Sequence, residues 1–471
     1  MKILSQIAAL SVVGYVSAQN VGTQKTEQHL PMGYQICQGA GQCTTYQGGV
    51  TLDSNWRWTH NNNGYQNCYT GNSWDSNFCP DERTCTQNCA VDGVDYNDWR
   101  APYGVTTVDG GISMNFVTQG QYGTNIGSRT YLLDGSGENY EMFKLKNKEF
   151  TFDVDVSNMP CGVNGALYFV EMPQDGGKSR FPTNKAGAKY GTGYCDAQCP
   201  HDIKWIHGEA NSKDWQPSTK DRNAGVGHFG ACCAEMDIWE ANQMASAFTA
   251  HPCSLGGDLR CEGRDCGDNA SGDRYNGVCD KDGCDINPYR NGVRDFFGPG
   301  SSFKVDTTRP FTVVTQFITN DGTDSGDLVE IKRYWVQNGQ KIETPMSNLP
   351  GVAPYNSITD ANCAAQKQLF GDNNDFQAKG GLRKMGEAME RGMVLVMSIW
   401  DDHEAQMLWL DSEYPLDKPS SQPGVIRGPC SRDSGKPEDV ESQNPYSSVK
   451  YFNVKVGPIN STTQNAYSVY Q

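Results

Sequence analysis

The sequence predicts an all-β protein, one antiparallel β-sandwich whose long, disulfide-tied loops build something on one face. Three observations carry this. Apolar and polar residues alternate at period two in segments spread over the whole chain, helical periodicity is scarce, and the 52 Gly and 22 Pro sit largely in long loops between the alternating segments. Aromatics at 10%, with 22 Tyr and 10 Trp, belong to a folded chain and not a disordered one.

In chain order, Lys2, an apolar stretch from Ile3 to Val16 and the small-residue exit Val16-Ser17-Ala18 read as a secretory signal, so the mature chain is expected to begin at Gln19. Strands are expected over 111–118, 129–133, 149–158, 165–172, 311–319, 328–337, 340–344, 393–400 and 449–456. The clearest is 149–158, where Phe150, Phe152, Val154 and Val156 oppose Thr151, Asp153, Asp155 and Ser157, the pattern of one buried face. Between 328–337 and 340–344, Asn338-Gly339 supplies the positive φ angles of a type I′ turn and predicts a hairpin. Short surface helices are expected over 361–370 and around Leu382, Met385 and Met389. The loops 211–230 and 256–300 run between strands without the composition of a tether. No repeat appears either, so residues 19–471 are expected to form a single domain.

Lys plus Arg is 39 and Asp plus Glu is 55, a net charge of −16 that repels nucleic acid and anionic membranes. Beyond the amino terminus no run approaches the roughly 20 apolar residues of a membrane span. The 18 Cys, none of them in the signal, would enter an oxidising compartment, and an even count suggests full pairing. Spacings such as Cys195 with Cys199, Cys261 with Cys266 or Cys279 with Cys284 admit a metal site. Their scatter from Cys37 to Cys430 favours disulfides. Adjacent Cys232 and Cys233 point to opposite faces of a strand and need different partners, for which Cys195 and Cys199 are natural candidates. Asn269-Ala270-Ser271 and Asn460-Ser461-Thr462 are glycosylation sequons.

The chemistry concentrates in Ala234-Glu235-Met236-Asp237-Ile238-Trp239-Glu240. Alternation puts Glu235 and Asp237 on one strand face and Glu240 on the other, so Glu240 joins them only if a bulge or a strand end intervenes, and such an irregularity is expected near Trp239. Gathered carboxylates force one group to keep its proton, the division of labour a glycosidase needs, with Glu235 as nucleophile and Glu240 as acid. A solvated acidic patch and a calcium site remain alternatives at this point. Aromatic residues weigh against them, because sugar rings stack on flat side chains: Trp56 and Trp58 alternate in Asn55-Trp56-Arg57-Trp58, and Trp400 and Trp409 flank Asp401-Asp402.

The stretch Ala231-Cys232-Cys233-Ala234-Glu235-Met236-Asp237-Ile238-Trp239-Glu240-Ala241-Asn242 closely resembles the signature of glycoside hydrolase family 7. The likeness extends through Asn55-Trp56-Arg57-Trp58-Thr59-His60, residues 190–196, residues 280–290, residues 393–400 and Pro423-Gly424-Val425-Ile426-Arg427-Gly428. The resemblance implies a concanavalin-like β-sandwich, a jelly roll whose loops form a substrate tunnel. It also implies a retaining nucleophile in Glu235, its hydrogen-bonding neighbour in Asp237, the acid/base in Glu240, and supporting groups in Asp196 and His251. Trp56, Trp58, Trp400 and Trp409 match sugar-stacking positions, and Tyr168, Gln198, Arg129, Arg274 and Arg427 match polar cleft positions. The family's disulfides would join Cys195 to Cys233, Cys199 to Cys232 and Cys161 to Cys430. One further pair is expected to be absent, since its place reads Gln19-Asn20-Val21-Gly22 at one end and Ala90 at the other.

The long loops 211–230 and 263–289 resemble those of the family's cellobiohydrolases, which implies a secreted, monomeric enzyme releasing cellobiose from the reducing ends of cellulose. No metal or cofactor is expected, and no carbohydrate-binding module after Gly457-Pro458-Ile459-Asn460. An endo-acting glucanase and a non-catalytic lectin are the competing readings. Where several relatives oppose two Tyr across the tunnel roof, Ala270 and Glu404 stand here, so the roof is expected to part more readily.

Overall fold

The computed structural model describes residues 19–463, and the expected signal segment lies outside the described residues. The strands that carry the architecture are β1 (Leu30–Gly39), β2 (Gln42–Leu52), β3 (Val105–Val108), β4 (Gly111–Asn115), β5 (Ser128–Leu133), β6 (Lys148–Asn158), β7 (Val163–Val170), β8 (Glu235–Ala241), β9 (Ser246–His251), β10 (Cys284–Ile286), β11 (Phe311–Thr319), β12 (Leu328–Gln337), β13 (Gln340–Glu343), β14 (Met393–Asp401) and β15 (Ser448–Pro458). Two antiparallel layers result. One runs β2–β5–β14–β7–β8–β9–β10. The other runs β3–β4–β15–β6–β11–β12–β13. Strand β1 joins them, antiparallel to β2 and parallel to β15.

Aromatic residues fill the space between the layers: Phe150 of β6 meets Phe169 of β7 with ring centroids 4.9 Å apart, and Trp239 of β8 meets Trp335 of β12 at 5.6 Å. Such edge-on contacts between fully buried rings are a large share of what holds a sandwich together. The Asn338-Gly339 turn has φ of 54° and 73°, as the hairpin requires.

Three expectations need correction. The strand at 149–158 alternates as expected from Phe152 onward, but at its start Glu149 and Thr151 on the outer face are buried too, because residues 460–462 fold over them and the Thr462 N–H and hydroxyl both donate to Glu149 Oε1, at 2.8 and 2.7 Å. The segment 111–118 breaks at Phe116, whose N–H and carbonyl bond outside the layer to the Ser447 carbonyl and the Gly127 N–H; Val117–Gly120 then pairs with Gly123–Ile126 as a separate hairpin. The helices α1 (Asp360–Phe370) and α2 (Gly381–Arg391) do not merely ride the surface, since Cys363, Phe370, Leu382, Met385 and Met389 are buried.

Nine disulfides form, including the three that the resemblance implies. Cys261 pairs with Cys266, while Cys279 and Cys284 pair with Cys253 and Cys363, so those spacings record disulfides and not a metal knuckle. At the amino terminus Asn20–Val21 lies parallel to Cys89–Val91, with the Gly22 N–H donating to the Val91 carbonyl at 2.8 Å. Backbone pairing thus holds the stretch that lacks a bridge.

Candidate active site

Strand β8 sits between β7 and β9, with Met236, Ile238 and Trp239 turned to the core and fully buried. Its pairing slips where the sequence requires: Asp237 opposes Thr249 but Glu240 opposes Ala247, leaving Ile238 and Trp239 against the single Phe248. The same slip appears against β7, between Leu167 and Phe169. This bulge shifts the alternation by one residue, and Glu235, Asp237 and Glu240 all face one cavity of about 1200 Å³. All three are at most 8% exposed, so the reading as a solvated acidic patch does not hold.

Each carboxylate has its own neighbours. Glu235 Oε2 accepts from the Ala197 N–H at 3.1 Å, and Glu240 Oε1 accepts from Asn164 Nδ2 at 3.1 Å. Asp237 Oδ2 is 3.1 Å from His251 Nε2, while His251 Nδ1 lies 2.8 Å from the Asp280 carbonyl. A carbonyl and a carboxylate both accept, so both ring nitrogens carry protons and the ring is an imidazolium. Although burial opposes that charge, the Asp237 partner raises the histidine to about 9. Glu235, Asp237 and His251 bring ligand atoms within 4.8 Å of one another, the geometry a cation could use, but the imidazolium already supplies the positive charge there.

Burial, followed by the charge of Asp237, pushes both Glu235 and Glu240 well above the usual carboxylate range. Asp196 also adds to the rise at Glu235. For Glu240 the imidazolium and the Asn164 amide work against it. Burial likewise raises Asp196, whose Oδ2 accepts from the Tyr194 hydroxyl at 2.6 Å.

The other expected residues line the same cavity, with Trp58 the exception. Tyr168 shares a 2.9 Å hydroxyl contact with Tyr194, and Arg129 donates to Asp53 at 2.6 Å with its guanidinium over the Trp56 ring. Gln198 donates to the Lys281 carbonyl at 2.9 Å. Beyond Glu240, Trp400 and Trp409 stack with centroids 6.2 Å apart, Trp409 Nε1 donates to Asp402 Oδ2 at 2.9 Å, Arg274 holds Asp282, and Arg427 donates to the Tyr414 and Trp409 carbonyls. Trp58 lies outside the cavity, stacked on His60 at 4.1 Å. Two participants escaped sequence reasoning. Asn164 is a polar residue in the otherwise apolar stretch that ends at Val170, a detectable anomaly; the Ala197 backbone N–H has no signal at all.

The sequence profile of glycosyl hydrolase family 7 matches residues 21–463. An exoglucanase GH7B of Limnoria quadripunctata is 54% identical over 459 residues, which are 97% of this chain and 99% of that one. Among solved structures, a GH7 family cellobiohydrolase from Daphnia pulex superposes with a TM-score of 0.94 at 58% identity, over 94% of this chain and 100% of the other. A cellobiohydrolase from Melanocarpus albomyces complexed with cellotetraose gives 0.89 at 45%, over 95% and 100%.

Proposed function

The chain belongs to glycosyl hydrolase family 7, and on that footing we propose that it is a secreted, monomeric cellulase that cuts β-1,4-glucosidic bonds with retention and releases mainly cellobiose from reducing ends. The observation that carries the reading is the bulge in β8, which brings three buried carboxylates onto one face of an aromatic-lined cavity. A lectin has no use for that costly arrangement.

Glu235 is the nucleophile. The Ala197 N–H fixes one of its oxygens and leaves the other to attack the anomeric carbon. Burial and Asp237 raise both carboxyls, so the interacting pair keeps one proton; with the Ala197 N–H favouring the ionised form of Glu235, that proton belongs on Glu240, which passes it to the departing glycosidic oxygen. The bond between Glu235 and the sugar then yields to a water that Glu240, now a base, deprotonates. Asp237 and the His251 imidazolium position the pair, and Asp196 with Tyr194 and Tyr168 lines the side next to the nucleophile. Trp56 offers a sugar platform on that side, with Arg129 above it. Trp400, Trp409, Arg274 and Arg427 do the same beyond the acid, where the leaving group departs, and Gln198 spans the wall between.

Glu235→Gln should lower hydrolysis of a soluble chromogenic lactoside at least a thousandfold in well-folded protein; full activity would remove the nucleophile from its role. Proton NMR of the first product should show the β-anomer. On crystalline cellulose, mostly cellobiose is expected, and a rapid fall in chain length would favour an endo-acting enzyme instead.

A further inference from the structure

Tyr65 is 72% exposed, on the short turn that carries the chain from His60 back to Asn67. Other tyrosines are as open, Tyr122 at 94% and Tyr446 at 87%, but Tyr65 has a ring beside it that the resemblance assigns to sugar stacking. Its centroid lies 6.1 Å from that of Trp58, with 25° between the planes. At that separation the two rings are offset and not face to face, so neither wholly covers the other.

The platform is built from the core outward. Asp92, fully buried, holds His60 Nε2 at 2.8 Å, and His60 backs one face of Trp58 with centroids 4.1 Å apart. Asn67 Oδ1 accepts from Trp58 Nε1 at 2.7 Å and so fixes the ring in its own plane. The turn that bears Tyr65 is itself tied down. The Asn61 N–H donates to the Gln66 carbonyl at 2.8 Å, His60 Nδ1 lies 2.9 Å from the Gly64 carbonyl, and the Cys68–Cys89 disulfide closes the far side. A large aromatic left in water on an anchored turn, beside a second anchored aromatic just outside the cavity, is preorganised for a flat, partly apolar ligand. A pyranose ring, with its C–H face, is such a ligand.

We propose that Tyr65 extends the Trp58 platform as an additional stacking position for a single β-1,4-glucan chain before it threads into the cavity. The proposal rests on the cellulase reading and adds a chain-capture residue to it.

The test compares Tyr65→Ala, Tyr65→Phe and Tyr65→Trp in the full chain, with Tyr122→Ala as a control for losing an exposed ring elsewhere. Initial rates are measured on microcrystalline cellulose and on a soluble chromogenic lactoside, which carries only two sugar rings and a leaving group. Tyr65→Ala should lower the cellulose rate at least three times more than the lactoside rate, while Tyr65→Phe and Tyr65→Trp restore the ratio and Tyr122→Ala leaves it unchanged. An unaltered ratio in Tyr65→Ala, with lactoside hydrolysis intact, overturns the proposal and leaves the cellulase reading standing. Absence of hydrolysis of either substrate by the unmodified protein would strike the cellulase reading itself.

Discussion

His251 shows how one side chain sets the working range of its neighbours. Its positive charge lowers the proton affinity of Glu240, and the rise to about 9 keeps that charge in place through the acidic and neutral range. Replacing it with a neutral group of similar reach, His251→Asn, removes the opposition, so Glu240 holds its proton to higher pH and the carboxylates as a coupled set ionise later. The alkaline limb of the kcat/KM profile should therefore move upward by about a unit, along with a drop in the maximum of roughly tenfold or more. A profile that loses height without moving would mean that the histidine only shapes the pocket. The sequence motif placed Glu235, Asp237 and Glu240, but His251 was legible only through resemblance, because nothing near Ala250-His251-Pro252 points to a partner fourteen residues earlier across a strand pair.

Among the elements, an irregularity in β8 near Trp239 was legible because two acids in phase and a third out of phase cannot share a face of a regular strand; that it is a bulge is seen in the pairing with β7 and β9. What the loop at 402–405 touches was not legible. The expected looseness of the roof came from Ala270 and Glu404 alone; Glu404 also reaches Lys220 on the loop 211–230, at 2.5 Å, and His403 Nδ1 lies 3.0 Å from the Lys220 carbonyl. Residues separated by 183 and 184 positions in exposed loops leave no trace in periodicity or spacing. A bridge of this kind ties the loop at 402–405 to the loop 211–230, but a single exposed ion pair is weak and screened by salt. Lys220→Ala should thus shorten processive runs on crystalline cellulose modestly, by less than about twofold, and about 1 M salt should bring the unmodified enzyme close to the variant. If run lengths in both proteins are equal at low salt, the His403 contact with the backbone carbonyl suffices to hold the roof. An aromatic at Ala270 would then add little.

For the molecule as a whole, the net charge of −16 was plain in the composition, but its distribution between solvent and interior was not. Several carboxyl groups are buried, and the low-dielectric surroundings push them up: Asp411 to about 6, Asp375 to about 6 and Asp401 to about 7, alongside Glu235, Glu240 and Asp196. A group whose pKa is higher folded than unfolded contributes stability that is complete below the unfolded value, near 4, and is lost as pH rises through the folded value. Opposing these, hydrogen bonds from Thr308 hold Asp306 down at about 2, and the guanidinium of Arg290 lowers Asp285, contributions that fade as the solution is acidified below about pH 4. The two sets together place the thermal midpoint maximum near pH 4.5–5.5, with a decline toward pH 8. Asp411 tests the account, because its Oδ2 accepts from the Gly162 N–H and from Asn242 Nδ2 while Oδ1 is buried without a partner. From about 6 in the fold to about 3.8 unfolded, the shift corresponds to roughly 2–3 kcal/mol at neutral pH. Asp411→Asn keeps an oxygen for both donors and removes the titration, so it should flatten the decline in Tm between pH 5 and 7 by a few degrees. A Tm that holds level or rises from pH 5 to 8 in the unmodified protein would instead mean that the buried carboxyl groups find their stabilisation in ionised form.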